Sequence, residues 1–139
     1  MPEMSPPERD AFLRQPRIAK LAILNADGSP SIVPLWFDWD GATARLFTTR
    51  SSRKVRRILA EPRVALSVET ALTQDEAWVT IEGIASIKAE GGLQLAEKLA
   101  PRYYGEKKAA EILPAWRQVA DWVVIEIKPV RIRSRAPEA

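Results

Sequence analysis

The sequence of 139 residues contains no cysteine and no histidine. Without cysteine the chain has no disulfide bond, no thiolate nucleophile and no zinc ribbon. Without histidine it lacks the usual general base and the Ser-His-Asp triad, and the absence of both residues excludes most transition-metal sites. We therefore predict no metal site, and we expect a cofactor to carry the chemistry if the protein is an enzyme.

Long apolar runs are also absent. No stretch approaches the roughly 20 apolar residues of a membrane-spanning helix. The proline-rich start "MPEMSPPERD" lacks the apolar core of a signal peptide. We therefore expect a cytoplasmic protein without membrane association. The length suits one domain, which we place at residues 12–134, between flexible polar tails at residues 1–11 and 135–139.

Basic residues are concentrated in one segment, although the net charge of the chain is only +3. Between Arg45 and Arg63 there are seven basic residues and a single acidic residue, Glu61. This local excess of positive charge favours a site for an anion over a general coat for polyanions.

Hydrophobic patterning predicts a mainly β protein. Hairpin turns are expected at Asp27-Gly28 and Asp40-Gly41, and six strands are predicted at residues 17–24, 31–40, 42–50, 63–70, 77–89 and 121–134. The first three strands are expected to form a meander. Pro34 marks an edge strand or a bulge there, and Gly83 marks a bulge or bend in the fifth strand. With short helices predicted at residues 52–62, 91–105 and 106–120, this pattern favours an antiparallel barrel.

The predicted helix in "TTRSSRKVRR" begins with cations at the positive end of its own dipole. Ser51 or Ser52 can cap this helix, and its first N–H groups are unpaired donors. A bound phosphate would convert the repulsion at Arg53 and Lys54 into charge-assisted hydrogen bonds, which Thr48 would extend. The same residues are equally compatible with a solvated basic face, so both interpretations stay open on this evidence.

Three segments, "LAILNADGSPSIVPLWFDWDG", "LFTTRSSRKVRRILAEPRVALSV" and "WVTIEGIAS", resemble in order and spacing the pyridoxamine 5'-phosphate oxidase-like flavin-binding split barrels, including their deazaflavin-dependent relatives. The resemblance runs from residue 12 to residue 134. It implies a six-stranded antiparallel split β-barrel with short helices, of the FMN-binding split-barrel type. It also implies a homodimer with a cofactor in each cleft between the subunits. That cofactor would be FMN or, alternatively, the 8-hydroxy-5-deazaflavin cofactor.

The resemblance also implies which residues contact the cofactor. In relatives, the Arg-Lys pair of a Ser-Arg-Lys segment holds the flavin phosphate, an aromatic-Thr pair ends the preceding strand, and a segment of the second strand lines the ring. Trp78 stands where the vitamin-metabolising oxidases have a glutamine. The implied contacts are therefore Ile32, Val33, Pro34, Leu35, Trp36, Phe47, Thr48, Ser52, Arg53, Lys54 and Trp78. No catalytic residue is assigned.

The sequence also departs from the family's namesakes. The C-terminal "KPVRIRSRAPEA" has no match to their substrate-binding segment, and the chain has no histidine, so pyridoxamine phosphate oxidation and imidazole ligation of haem are both disfavoured. We expect a flavin- or deazaflavin-dependent oxidoreductase that transfers hydride to or from a small organic substrate. The alternatives are a non-catalytic flavin-binding protein and a nucleic-acid-binding barrel. The second is weakened because the tryptophans do not interleave with the basic segment. Roles for Arg50, Arg56 and Arg57 stay open.

Overall fold

The computed structural model describes residues 2–138. It contains four helices, α1 (Pro6–Arg14), α2 (Arg53–Ala60), α3 (Gly92–Tyr104) and α4 (Glu106–Trp116). The seven strands are β1 (Ala19–Leu24), β2 (Pro30–Leu35), β3 (Asp38–Trp39), β4 (Ala44–Thr49), β5 (Arg63–Glu69), β6 (Trp78–Lys88) and β7 (Trp122–Arg135). Within these described residues, every helix is too short or too polar to cross a lipid bilayer.

The strands form one antiparallel sheet in the order β2-β1-β5-β6-β7-β4-β3. The two outermost strands, β2 and β3, are joined by Trp36 and Phe37 alone. Two linking residues span at most about 11 Å, whereas seven flat strands would span about 29 Å. The sheet must therefore curl until its edges nearly meet, which confirms the expected split barrel.

The prediction of six strands is wrong by one, because the predicted strand at residues 31–40 is divided into β2 and β3. The Phe37 N–H leaves the sheet and donates to the Tyr103 hydroxyl oxygen at 3.4 Å. The predicted meander is also wrong, since β2 pairs only with β1 while β4 pairs with β7 and β3. Pro34 does lie on an edge strand, as predicted.

Residues 6–11, which the sequence assigned to a tail, belong to helix α1. A capping box starts this helix: the Glu8 N–H donates to Ser5 Oγ at 3.3 Å, and the Ser5 N–H donates to Glu8 Oε1 at 3.1 Å. Phe12 and Leu13 then anchor α1 in the main core. The capping box is a stronger signal than the proline-rich composition that suggested a tail.

The main core fills the inside of the barrel with alternate side chains from the strands, together with Trp39 and residues of α1 and α2. The α3–α4 hairpin, inserted between β6 and β7, forms two smaller clusters against Trp36 and Phe47. One side of the barrel near the β2–β3 link is therefore covered by helices.

Gly83 marks the predicted bulge, since the register of β6 against β7 shifts between Glu82 and Gly83. A Cβ atom at this position would lie 2.5 Å from the Lys128 carbonyl oxygen. The backbones of β6 and β7 therefore approach each other closely only because residue 83 has no side chain.

Replacing Gly83 by alanine should lower the free energy of unfolding by about 1–3 kcal/mol, because the added methyl group forces the two strands apart. Urea titration measures this loss. Ser86→Ala, at an exposed position on the same strand, should change stability by less than about 0.5 kcal/mol. Equal stability of Gly83→Ala and the unmodified protein would show that the strands can separate without cost.

Candidate functional site

Helix α2 starts beside an unpaired hydroxyl group. Ser52 is its N-cap residue, but the side chain makes no capping hydrogen bond. The Ser52 Oγ atom is buried and has no hydrogen-bond partner within residues 2–138. Val55 and Ile58 are buried and hold the helix in place. The start of α2 therefore offers a hydroxyl group and first-turn N–H groups to an acceptor.

Positive charge is uncompensated around this helix start. In the part of the chain that the structure describes, no salt bridge is formed by any of the five cationic side chains Arg50, Arg53, Lys54, Arg56 and Arg57. The nearest acidic residue in sequence, Glu61, is paired with Arg63. An anion would therefore find a local surplus of positive charge here.

Besides Arg53, which donates to Asn25 Oδ1, two of these arginines have structural partners. Arg56 Nη1 donates to the Ser51 carbonyl oxygen at 2.9 Å, and Arg57 Nε donates to the Leu24 carbonyl oxygen at 2.9 Å. Arg56 thus braces the loop before α2, and Arg57 ties the helix to the end of β1. Arg56 and Arg57 therefore have structural roles, which the sequence alone did not assign.

Lys54 is half-buried, and burial lowers the pKa of its ammonium group below the ordinary value for lysine. Desolvation disfavours the charged form, and no carboxylate of residues 2–138 forms a salt bridge with Lys54 to offset this cost. A phosphate group would supply the missing negative charge together with acceptors for Ser52 and Lys54. These residues therefore fit the phosphate of a cofactor.

The segment predicted to line the cofactor ring, residues 32–36, and the segment predicted to bind its phosphate, residues 52–54, lie on the two sides of the split in the barrel. One edge of β2 has no strand partner in the described chain, and neither has the edge of β4 beyond Arg45. The two sides meet at both ends of the split. At one end the Trp36 and Phe47 ring centroids are 6.0 Å apart, and at the other Arg53 donates to Asn25 Oδ1.

A cavity of about 380 Å³ opens at the Trp36 end of the split. It is lined by Ile18, Pro34, Leu35, Trp36, Phe47, Tyr104 and Trp116. Four of the predicted cofactor contacts, Pro34, Leu35, Trp36 and Phe47, are thus brought together. Of the other β2 residues, Ile32 is 68% exposed and Val33 packs against the main core.

Aromatic contacts fix the position of Trp36. Its ring stacks on Tyr103 with centroids 4.9 Å apart and planes 8° apart, and Tyr104 meets it edge-on at 4.6 Å. The buried Tyr103 hydroxyl donates to the Arg17 carbonyl oxygen at 2.6 Å. Burial raises the pKa of Tyr103, so this phenol stays protonated and keeps donating.

The sequence did not predict that Tyr104 and Trp116 would line the cavity. Trp39 is buried in the main core, whereas Trp116 is half-buried and accepts a hydrogen bond from Trp122 Nε1 at its carbonyl oxygen. No local signal distinguishes these roles, because the helical hairpin places them by tertiary packing.

Thr48 and Trp78 are placed very differently. Thr48 is 7% exposed and sits on β4, four residues before Ser52. Trp78 begins β6, pairs with Glu69 and Arg135, and does not line the cavity. Within one chain, the structure therefore does not bring Trp78 to the other predicted contacts.

The fold and the cationic helix start define the class of protein, a split-barrel protein with a phosphate-compatible site. The family model described as pyridoxamine 5'-phosphate oxidase matches residues 5–136, so the chain belongs to the pyridoxamine 5'-phosphate oxidase-like family. Curated proteins include no significant match.

Solved structures give the same fold. The chain is 27% identical to an F420 reductase, with 88% of this chain and 94% of that one covered and a TM-score of 0.71. It is 25% identical to a conserved hypothetical protein from Mycobacterium tuberculosis, with coverage of 94% and 84% and a TM-score of 0.75. A FAD-binding protein from Mesorhizobium loti is similar at 21% identity, with coverage of 96% and 93% and a TM-score of 0.69, which shows the fold alone.

Replacing Lys54 by methionine should stabilise the cofactor-free protein at pH 7. Because burial lowers the pKa of Lys54, the folded chain binds this proton less tightly than the unfolded chain does. The charge therefore costs stability below the folded-state pKa, and the cost declines as pH rises from that pKa to the higher pKa of the unfolded chain. Urea titrations should show a gain in unfolding free energy that shrinks in alkaline solution.

The exposed Lys107 on α4 provides the control, since Lys107→Met removes a lysine charge without relieving burial. Its stability should match that of the unmodified protein. A Lys54→Met variant that is less stable than the unmodified protein at pH 7 would argue against an uncompensated buried charge.

Proposed function

We propose that the protein is an oxidoreductase that binds a flavin-type cofactor, with the cofactor phosphate at the start of α2. The observation that carries this proposal is a pair of groups without partners among residues 2–138: the buried Ser52 hydroxyl, and Lys54, a half-buried cation that forms no salt bridge there. Membership of the pyridoxamine 5'-phosphate oxidase-like family supports it, as does the likeness to an F420 reductase.

When bound, the cofactor would supply two-electron hydride transfer. The chain's own residues have three tasks. Ser52, Arg53 and Lys54 bind the phosphate, and the free edge of β2 presents backbone groups to the ring. Trp36 and Phe47 keep water from one side of the cavity. Among the described residues, no carboxylate or ammonium group lines the cavity, so we assign no acid or base to the chain.

FMN is the first candidate cofactor, and the deazaflavin cofactor is the second. The likeness to an F420 reductase favours the second, and so does the position of Arg50, an exposed cation with no salt bridge in the described residues. The deazaflavin cofactor has a longer acidic tail than FMN. Arg50 could form an ion pair with that tail, which FMN lacks.

We further propose that the protein acts as a homodimer in the cytoplasm. A second copy would complete the site, since Trp78 does not line the cavity described within its own chain and Ile32 is 68% exposed. Sedimentation equilibrium should give twice the monomer mass of 15.6 kDa. A monomer that binds cofactor with full affinity would remove Trp78 from the site.

Turnover separates an enzyme from a carrier or a nucleic-acid-binding barrel. An enzyme should reduce its bound cofactor with a suitable donor and reoxidise it with an organic acceptor over many cycles. A carrier would bind without cycling. A nucleic-acid-binding barrel would show affinity for oligonucleotides that falls steeply with salt.

Replacing Lys54 or Ser52 should weaken cofactor binding without lowering the stability of the cofactor-free protein. A hydrogen bond to a charged group contributes about 1.5–3 kcal/mol, so Lys54→Met should weaken binding about 10- to 100-fold by calorimetry. Ser52→Ala should also weaken binding, while the unfolding free energy of the cofactor-free protein should stay the same or rise, because the buried Ser52 hydroxyl has no partner within residues 2–138.

Ser51→Ala is the matched control, since Ser51 is exposed and its neighbour Ser52 carries the buried hydroxyl. Unchanged affinity in both Lys54→Met and Ser52→Ala would place the phosphate elsewhere.

Arg50→Ala distinguishes the two cofactors. The Arg50→Ala substitution should weaken binding of the deazaflavin cofactor several-fold and leave FMN affinity unchanged, because only the longer acidic tail would contact an additional cation. Equal losses for both cofactors, measured in the same calorimetric titrations, would mean that Arg50 serves the phosphate that they share.

A further inference from the structure

Tyrosine and tryptophan side chains can lose one electron and regain it, and most of those in this protein touch one another. The rings of Trp36, Tyr103, Tyr104, Trp116 and Trp122 form what we call the aromatic array. We infer that this array transfers single electrons, and that Tyr104 is the residue at which an oxidising equivalent comes to rest. Any service of the array to a bound cofactor rests on the proposed function, whereas the electron transfer itself does not.

The rings of the array are in continuous contact. The ring centroid of Trp36 lies 4.6 Å from that of Tyr104 and 4.9 Å from that of Tyr103. Trp116 extends the array, since its centroid lies 5.9 Å from Trp36 and 5.8 Å from Trp122. These are distances at which aromatic rings touch. Because electron transfer slows steeply with distance, an electron moves along such an array far faster than between separated rings.

The two tyrosines differ in where the phenolic proton can go. A tyrosine that loses an electron becomes a strong acid, and it stays oxidised only when its proton leaves as well. The Tyr103 hydroxyl donates to the Arg17 carbonyl oxygen at 2.6 Å, and a backbone carbonyl does not keep a proton. Tyr104 is 41% exposed, so its proton can pass to water. The oxidising equivalent therefore comes to rest at Tyr104.

Charge and hydrogen bonding favour the same direction of transfer. The Lys108 ammonium group lies 4.0 Å from the centroid of the Tyr104 ring, where it opposes a positively charged ring and so favours loss of the phenolic proton. At the other end of the array, Trp122 Nε1 donates to the Trp116 carbonyl oxygen at 2.7 Å. Because this carbonyl does not take the proton, an oxidised Trp122 keeps it and stays a strong oxidant.

The step moves one electron and one proton and consumes neither. An oxidised tryptophan that has lost its indole proton takes an electron from the Tyr104 ring, through the array, and a proton from water. Tyr104 gives its phenolic proton to water and becomes a neutral phenoxyl radical. A soluble thiol or ascorbate then returns a hydrogen atom to the phenoxyl oxygen. The array therefore clears one-electron oxidation from Trp36 and Trp116, which line the cavity.

Pulse radiolysis of the cofactor-free protein with azide radicals tests this transfer, because azide radicals take single electrons from accessible tryptophans. The indolyl-radical absorption should decay while the phenoxyl-radical absorption grows, at a rate independent of protein concentration. The chain has only two tyrosines, so two variants assign the radical. Tyr104→Phe should abolish the growth, although Tyr103 is still present. Tyr103→Phe should retain it, and circular dichroism checks that both variants fold.

Trp36→Phe tests the route, since phenylalanine is not oxidised under these conditions, and it should slow the growth several-fold. Trp78→Phe is the matched control and should leave the rate unchanged, because Trp78 is also half-buried but lies outside the array.

Three results would overturn the inference. The first is the absence of phenoxyl growth in the unmodified protein, or a rate that rises with protein concentration. The second is growth that persists in Tyr104→Phe, and the third is an equal effect of Trp36→Phe and Trp78→Phe. The measurement uses no cofactor. If neither FMN nor the deazaflavin cofactor binds, the proposed function fails while these comparisons still decide the electron transfer.

Discussion

The two-residue link between β2 and β3 is the constraint on which the rest of the structure depends. Because Trp36 and Phe37 must connect opposite edges of a seven-stranded sheet, the sheet curls and leaves a split between two unpaired strand edges. The Tyr103 hydroxyl lies at this link, between the Phe37 backbone and the Arg17 carbonyl oxygen. The helical hairpin that carries Tyr103 thus holds the link in place and also forms the far wall of the cavity.

The two ends of the split differ in charge. At the Trp36 end it is apolar and aromatic, and at the α2 end it is cationic with an unpaired hydroxyl. The protein accepts a half-buried cation at Lys54 and an uncapped helix start, both of which cost stability in the free chain. Local costs of this kind are typical of binding sites, where a ligand offsets them. An extended cofactor with a flat ring and a phosphate matches both ends at once.

Local signals in the sequence predicted much of this arrangement. Pro34 on an edge strand and the bulge at Gly83 follow from backbone chemistry that each residue carries wherever it stands. The division of β2 from β3 could not be predicted, because it depends on Tyr103, far along the chain. For the same reason the basic segment predicted an anion site, but not that Arg57 would donate to the Leu24 carbonyl oxygen.

The most direct test of the phosphate site compares each cofactor with its phosphate-free form by calorimetry. The pairs are FMN with riboflavin, and the deazaflavin cofactor with its ring-and-ribityl core. If Ser52, Arg53 and Lys54 hold the phosphate, the phosphorylated member of at least one pair should bind at least about 100-fold more tightly, as two charge-assisted hydrogen bonds require. Equal affinity within both pairs would contradict the account.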